Sequence, residues 1–314
     1  MVRSQATHRI ENIEGKFFVS DRTIIFVLGM PRSGTAALTR ALSLSGAALP
    51  KGMLGASKNN PRGFWEPRAA ILLNMKILRR CHSAWFNPIP PEGGYTTDRF
   101  LPEVQDYLAT LPAEPVIVIK DPQITLLADL WFQAARQMGY RVGAVIATRH
   151  PRRTAHSLQR YFLNASPPFS EALWLKYYLA AERSTRDVDR VFVDFFNVTA
   201  DWRRELKRIA AALNVDFTWD EGAVDAFLNP ELNHHRHREQ RIDDPAVAQV
   251  WRALSAAASD ESWNGIDNID CHPSREVLDE YRRIDRIYRR IPLWLSKAGI
   301  ESKAALHLRR GTWA

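Results

Sequence analysis

Cysteine is scarce: the chain has two, Cys81 and Cys271, far apart and each followed by histidine. The count excludes a disulfide framework, and two Cys-His dipeptides lack the short ligand spacing of a zinc site. Long apolar runs are also missing. The first twenty residues mix charges of both signs and contain no apolar stretch of signal-peptide length. TIIFVLGM and VIVI fall far short of the ~20 residues a membrane helix needs. These absences predict a cytoplasmic protein with no membrane span. Acidic excess is absent too: 43 Lys and Arg against 35 Asp and Glu give a formal net charge of +8. That balance favours anionic partners without choosing among nucleotides, nucleic acid, acidic glycans or membrane surfaces. No internal repeat or low-complexity tract occurs, and 46% apolar with 25% charged residues is the composition of a folded chain.

What is present is alternation. Ile24–Leu28 reads as a strand buried on both faces, as in parallel sheets. A glycine loop follows, then a helix with Leu38, Ala41, Leu42 and Ser45 on one face. Val116–Ile119 is a second strand, followed by Asp121-Pro122 and a helix expected from Thr125 to Met138. Val142–Ala147 is a third, with Pro151 opening the next helix. Val191–Val193 is a fourth, followed by a helix over Trp202–Leu213. This order predicts an α/β domain with a P-loop-like parallel β-sheet flanked by helices, spanning 1–314 as a single unit. Residues 46–115, punctuated by proline and glycine, are expected to form a helical insertion that walls the substrate. Residues 220–314 show no strand pattern and are expected to be largely helical, including the charged EYRRIDRIYRR. The cluster from His234 to Arg238 reads as a basic loop.

The glycine loop lacks something of its own. VLGMPRSGTAALTRAL has the glycine spacing of a phosphate-binding loop, Gly29 then Gly34, yet Thr35 and Ala36 stand where a nucleotide-hydrolysing loop has Lys and Ser or Thr. The cation sits inside the loop, as Arg32. Backbone amides at a helix N-terminus, with Arg32, Ser33 and Thr35, suit a small terminal anion gripped without a metal. A second element supports this. Arg149 ends the third strand and Ser157 lies eight residues on, near the start of the next helix. Guanidinium and hydroxyl can reach one phosphate from two sides.

Together these motifs resemble those of the soluble, bacterial-type sulfotransferase family that uses 3′-phosphoadenosine-5′-phosphosulfate (PAPS), and the likeness covers about residues 22–215. The resemblance implies that Arg32, Ser33, Gly34, Thr35 and Ala36 hold the 5′-phosphosulfate and Arg149 and Ser157 the 3′-phosphate. It implies PAPS as donor, adenosine 3′,5′-bisphosphate (PAP) as product and no metal. Two departures stand out. Many family members carry lysine where this chain has Arg32, and arginine can act there only as an electrostatic partner. The family's glycine-rich segment that closes over the nucleotide has one candidate, Arg309–Trp313.

Sulfuryl transfer is an in-line displacement that needs alignment, a base for the acceptor proton, and neutralised charge on the departing phosphate. Arg32 is the natural clamp. Glu66 lies between Phe64 and Trp65, surroundings that favour proton uptake near neutrality, and many carbohydrate- and protein-directed family members use a glutamate on the corresponding segment. Its plain alternative is a loop carboxylate paired with Arg62 or Arg68. His82 is a second candidate base. A third is Lys120-Asp121 at a strand end, Lys120 toward the sulfuryl and Asp121 toward the acceptor, or Asp121 as a helix cap.

A metal-dependent P-loop kinase or NTPase is the rival enzyme, favoured by the apolar run ending in Asp194 and disfavoured by the missing lysine. A nucleic-acid-binding protein would concentrate its cations on one element with interleaved aromatics; here they are spread along the chain. The acceptor is expected to be a small molecule or glycan, perched on aromatics such as Phe64, Trp65, Trp85 and Phe86, with a carbohydrate or glycolipid hydroxyl (or an amine) as the target.

Overall fold

The structure, a computed structural model, describes residues 22–56, 60–91, 94–161, 165–228, 241–259 and 271–290, and residues 261, 263, 265, 266 and 269 between the last two stretches. Its strands are β1 (Thr23–Leu28), β2 (Met53–Leu54), β3 (Glu66–Pro67), β4 (Val116–Ile119), β5 (Arg141–Thr148) and β6 (Asp189–Asp194). The first helices are α1 (Thr35–Leu44), α2 (Arg68–Arg80), α3 (Leu101–Leu108), α4 (Ala128–Gln137), α5 (Pro151–Tyr161) and α6 (Pro167–Ser184). They are followed by α7 (Phe195–Ala200), α8 (Trp202–Leu213), α9 (Glu221–Phe227), α10 (Pro245–Ala257) and α11 (Arg275–Tyr288).

Four strands form one sheet in the order β4-β1-β5-β6, every pair parallel. Strand β1 is buried along its whole length, and its alternate side chains enter two different cores. Ile24, Phe26 and Leu28 face Trp131 and Phe132 of α4 and Trp174 of α6. Ile25 and Val27 face Leu38, Ala41 and Leu42 of α1 and Leu206 and Ile209 of α8. An uninterrupted apolar run is what two covered faces require, and each such side chain contributes about 1.5–3 kcal/mol by burial. The α/β architecture expected from the alternation is the one observed.

Details differ. The helix expected from Thr125 begins at Ala128, because Pro122–Leu126 form a 3-10 turn capped by Asp121. Helix α6 escapes a periodicity reading because it is buried on nearly all sides, from Phe169 through Leu173, Trp174, Tyr177 and Tyr178 to Ala181. The segment 46–115 carries α2, α3 and an antiparallel ribbon of β2 with β3, too short for alternation to mark it. Among the described residues beyond 220 there are helices and no strand. His234–Arg238 and Arg309–Trp313 lie outside the described residues. Among the described residues, no helix is long and apolar enough to cross a membrane.

Candidate active site

Parallel sheets bind ligands beyond the carboxyl ends of their strands, and here every strand of the main sheet ends at one cleft of about 440 Å³. Strand β1 runs into Arg32 and Gly34–Ala37, β4 into Lys120–Gln123, β5 into Arg149 and β6 into Phe195. The segment Asn60–Phe64 with Glu66, together with Trp85 and Phe227, completes the lining.

The loop after β1 is shaped by close backbone approach. Gly29 has φ +135°, and a Cβ there would lie 2.6 Å from the Ala147 carbonyl oxygen. Gly34 has φ +90°, and a Cβ would lie 2.3 Å from the ring of Phe195. Neither position admits another residue without rearrangement. Arg32 also has positive φ, 75°, despite its side chain, a local cost of about 1–3 kcal/mol that the surroundings must offset. Gly34 is the N-cap of α1, and no side chain of the described residues caps that helix. Its first-turn amides have no intrahelical partner, so an anion at Thr35 and Ala36 would meet N–H donors and the positive helix end. Both residues line the cleft, whereas Ser33 is fully buried beneath the loop, beside the Tyr178 hydroxyl.

The two motifs meet at this loop. The Nε of Arg32 donates to Ser157 Oγ at 3.0 Å, joining residues 125 positions apart. Arg149 Nη1 donates to the Arg32 carbonyl at 3.1 Å, and its guanidinium stands 5.1 Å from the centre of the Phe195 ring. Burial, with the charges of Arg32 and Arg153 added, pushes Arg149 down to about 10. Arginine sites this crowded are where an anion gains most. Asp194 closes β6 and caps α7, accepting from the Phe196 amide at 2.8 Å. Burial pushes its carboxyl up to about 6, although Arg149 and Arg153 act in the other direction.

Across the cleft, Lys120 is buried and donates from Nζ to Glu66 Oε1 at 2.7 Å and to the Phe64 carbonyl. Glu66 is therefore paired with Lys120, a partner its plain reading did not name. Asp121 is indeed a cap: Oδ1 accepts from the Gln123 amide at 3.2 Å. Its Oδ2 accepts from Asn74 Nδ2 at 2.9 Å and Gln123 Nε2 at 3.0 Å. His82 is not brought to the site. It is exposed at the end of α2 with φ 54°, its carbonyl accepts from Arg289, and it is not among the lining residues. Of the four aromatics singled out, Phe64 and Trp85 line the cleft, Trp65 lies under Arg40, and Phe86 packs against Tyr281 and Tyr288.

Sequence reasoning missed Gln123, Phe195, Phe227 and Asn60. Phe195 directly follows β6 and Gln123 lies just beyond β4, so the rule of strand ends marks both. Nothing in the pattern marks Asn60 or Phe227, which no main-sheet strand delivers.

Family models and curated proteins yield no match to this chain. Among solved structures, it is similar to the sulfotransferase domain from the Synechococcus PCC 7002 olefin synthase, at 18% identity and a TM-score of 0.40. That alignment covers 84% of this chain and 94% of that one.

Proposed function

We propose that this protein transfers a sulfuryl group from PAPS to a hydroxyl of a small-molecule or glycan acceptor and releases PAP. One observation carries the reading: the PRSGT loop and the Arg149/Ser157 pair, remote in sequence, are joined through Arg32 around an uncapped helix N-terminus. A cationic cluster beside free backbone donors fits a ligand with phosphate groups at both ends of a ribose. PAPS supplies the activated sulfuryl. Arg149 and Ser157 hold the 3′-phosphate, and the loop amides with Thr35 hold the 5′ end. Arg32 neutralises charge growing on the departing phosphate, where preorganised donors act most strongly. Glu66 takes the acceptor proton as the acceptor oxygen bonds to sulfur and the sulfur–phosphate oxygen bond breaks. Lys120 holds Glu66 in place from the buried side. The reading calls on no metal. Phe64 and Trp85 favour a carbohydrate or glycolipid face, and the two free cysteines favour a reducing compartment such as the cytoplasm.

The test is thermal stabilisation by PAP, with ATP plus Mg²⁺ in comparison. Ligand at roughly one hundred times its Kd adds about 2.7 kcal/mol to the folded state, which is several degrees at roughly 2–4 °C per kcal/mol. The expected result is a metal-independent rise with PAP and little with ATP. A rise with Mg-ATP alone would sink the reading in favour of the kinase.

A further inference from the structure

A chain of buried hydrogen bonds behind the cleft determines what the cleft asks of its acceptor. Its first link is Trp131 Nε1, which can only donate and does so to Asn74 Oδ1 at 2.8 Å. That contact orients the Asn74 amide, whose Nδ2 is thereby aimed at Asp121 Oδ2, 2.9 Å away. The same carboxylate oxygen receives Gln123 Nε2 at 3.0 Å. With its NH₂ committed to a carboxylate, Gln123 presents its carbonyl oxygen elsewhere. A flipped amide would set oxygen against oxygen, so the network enforces this orientation. Gln123 is 2% exposed and lines the cleft, and its Oε1 is buried with no hydrogen-bond partner among the described residues.

We infer that Gln123 is a specificity-determining residue whose Oε1 accepts a hydrogen bond from the acceptor, so that the acceptor class is one carrying a second neutral O–H or N–H beside the hydroxyl that is sulfated. The inference rests on reading the cleft as a sulfuryl-transfer site. A buried acceptor left unsatisfied is costly, whereas one that gains a partner returns that cost on binding. A neutral donor is favoured because Arg32, Arg62, Lys120 and Arg149 outnumber Glu66 and Asp121 in the lining, which disfavours an ammonium group. A vicinal diol or an amide next to a hydroxyl meets both conditions, and a simple alcohol lacks the second donor.

The test compares binding of 1-hexanol, 1,2-hexanediol and 2-acetamido-1-hexanol, with and without PAP, in wild type and Gln123→Met. Wild type should bind the diol or the acetamide at least about tenfold more tightly than the mono-alcohol, equivalent to about 1.4 kcal/mol. Whichever of the two is preferred identifies the donor as hydroxyl or amide. Gln123→Met keeps the side chain's length without its amide, and it should narrow the gap to less than about twofold while keeping PAP stabilisation. Equal binding of all three probes by wild type, or no binding of any, would overturn the inference even if the variant failed to fold. A gap that survives in Gln123→Met would overturn it too. Failure of PAP to bind wild type would remove the transfer reading, leaving the probe comparison without PAP to decide the role of Gln123.

Discussion

On one side of the cleft the geometry is made by backbone, and on the other by side chains. Gly29, Arg32 and Gly34 adopt φ of +135°, +75° and +90°, and the donors they expose are largely main-chain amides at the start of α1. Elsewhere in the lining, Lys120 holds Glu66 and Gln123 holds Asp121 by buried polar contacts. A backbone cradle responds to charge and size, so it suits a ligand shared by many reactions. A side-chain network responds to individual groups, because each buried polar atom left unpaired costs about 1–3 kcal/mol. Under the proposed function, this division would put donor recognition on the loop and acceptor choice beyond β4. It also predicts that damage on the two sides takes different forms.

The largest effect should come from Glu66→Gln. Loss of a positioned base lowers kcat by roughly 10²–10⁴-fold, and PAP binding should be unchanged. Removing one partner of a buried ion pair also costs roughly 3–5 kcal/mol, although Lys120 keeps the Phe64 carbonyl. Turnover must therefore be measured where the variant is still folded, with the PAP-induced shift as the check. Near-normal kcat would take the base role from Glu66 and break the division at its chemical end.

Arg149→Ala should act on the opposite side and in the opposite way. A hydrogen bond between charged groups contributes about 1.5–3 kcal/mol, so PAP affinity should fall by about 10–100-fold. Adenosine 5′-phosphate, which lacks the 3′-phosphate, should lose less than about threefold. The ligand-free variant should lose less stability than Glu66→Gln, since Arg32 and Arg153 repel the cation that is removed. Equal losses for both nucleotides, read by calorimetry, would remove Arg149 from the 3′-phosphate.

The same division explains what could be read from sequence. Gly29, Arg32 and Gly34 are consecutive parts of one loop at the end of an apolar strand, so a local pattern announces them. Arg149 and Ser157 both follow β5 within two helical turns, a spacing that makes their shared contact with Arg32 legible. Asn74, Trp131 and Asp121 become a network only after α2 and α4 pack beside the turn that follows β4, and no spacing along the chain encodes that. Glu66 and Lys120 could each be nominated, but their pairing across 54 residues could not. Helix α6 was hidden because burial on nearly every side erases its periodicity. His82 shows the converse, since a histidine close in sequence to cleft-lining Trp85 still ends on the surface.

The smallest effect sharpens the boundary between the sides. Asp194 lies beside Phe195, which touches both Gly34 and Arg149, and its carboxyl is raised from an ordinary 3.8 to about 6. A carboxyl raised on folding holds its proton more tightly in the native state. Stability from this group is therefore greatest below about 3.8 and is lost as pH rises through about 6. Asparagine keeps the cap, because its Oδ1 can still accept from the Phe196 amide, and it carries no charge to bury. Asp194→Asn should thus match wild type near the low end of that window. Above pH 6 it should exceed wild type by on the order of 1 kcal/mol, read as a higher urea midpoint at pH 7.5 than at pH 5 relative to wild type. A difference independent of pH would mean that Asp194 is charged throughout, held so by Arg149 and Arg153. The loop side would then be built on a permanent ion pair and not only on backbone.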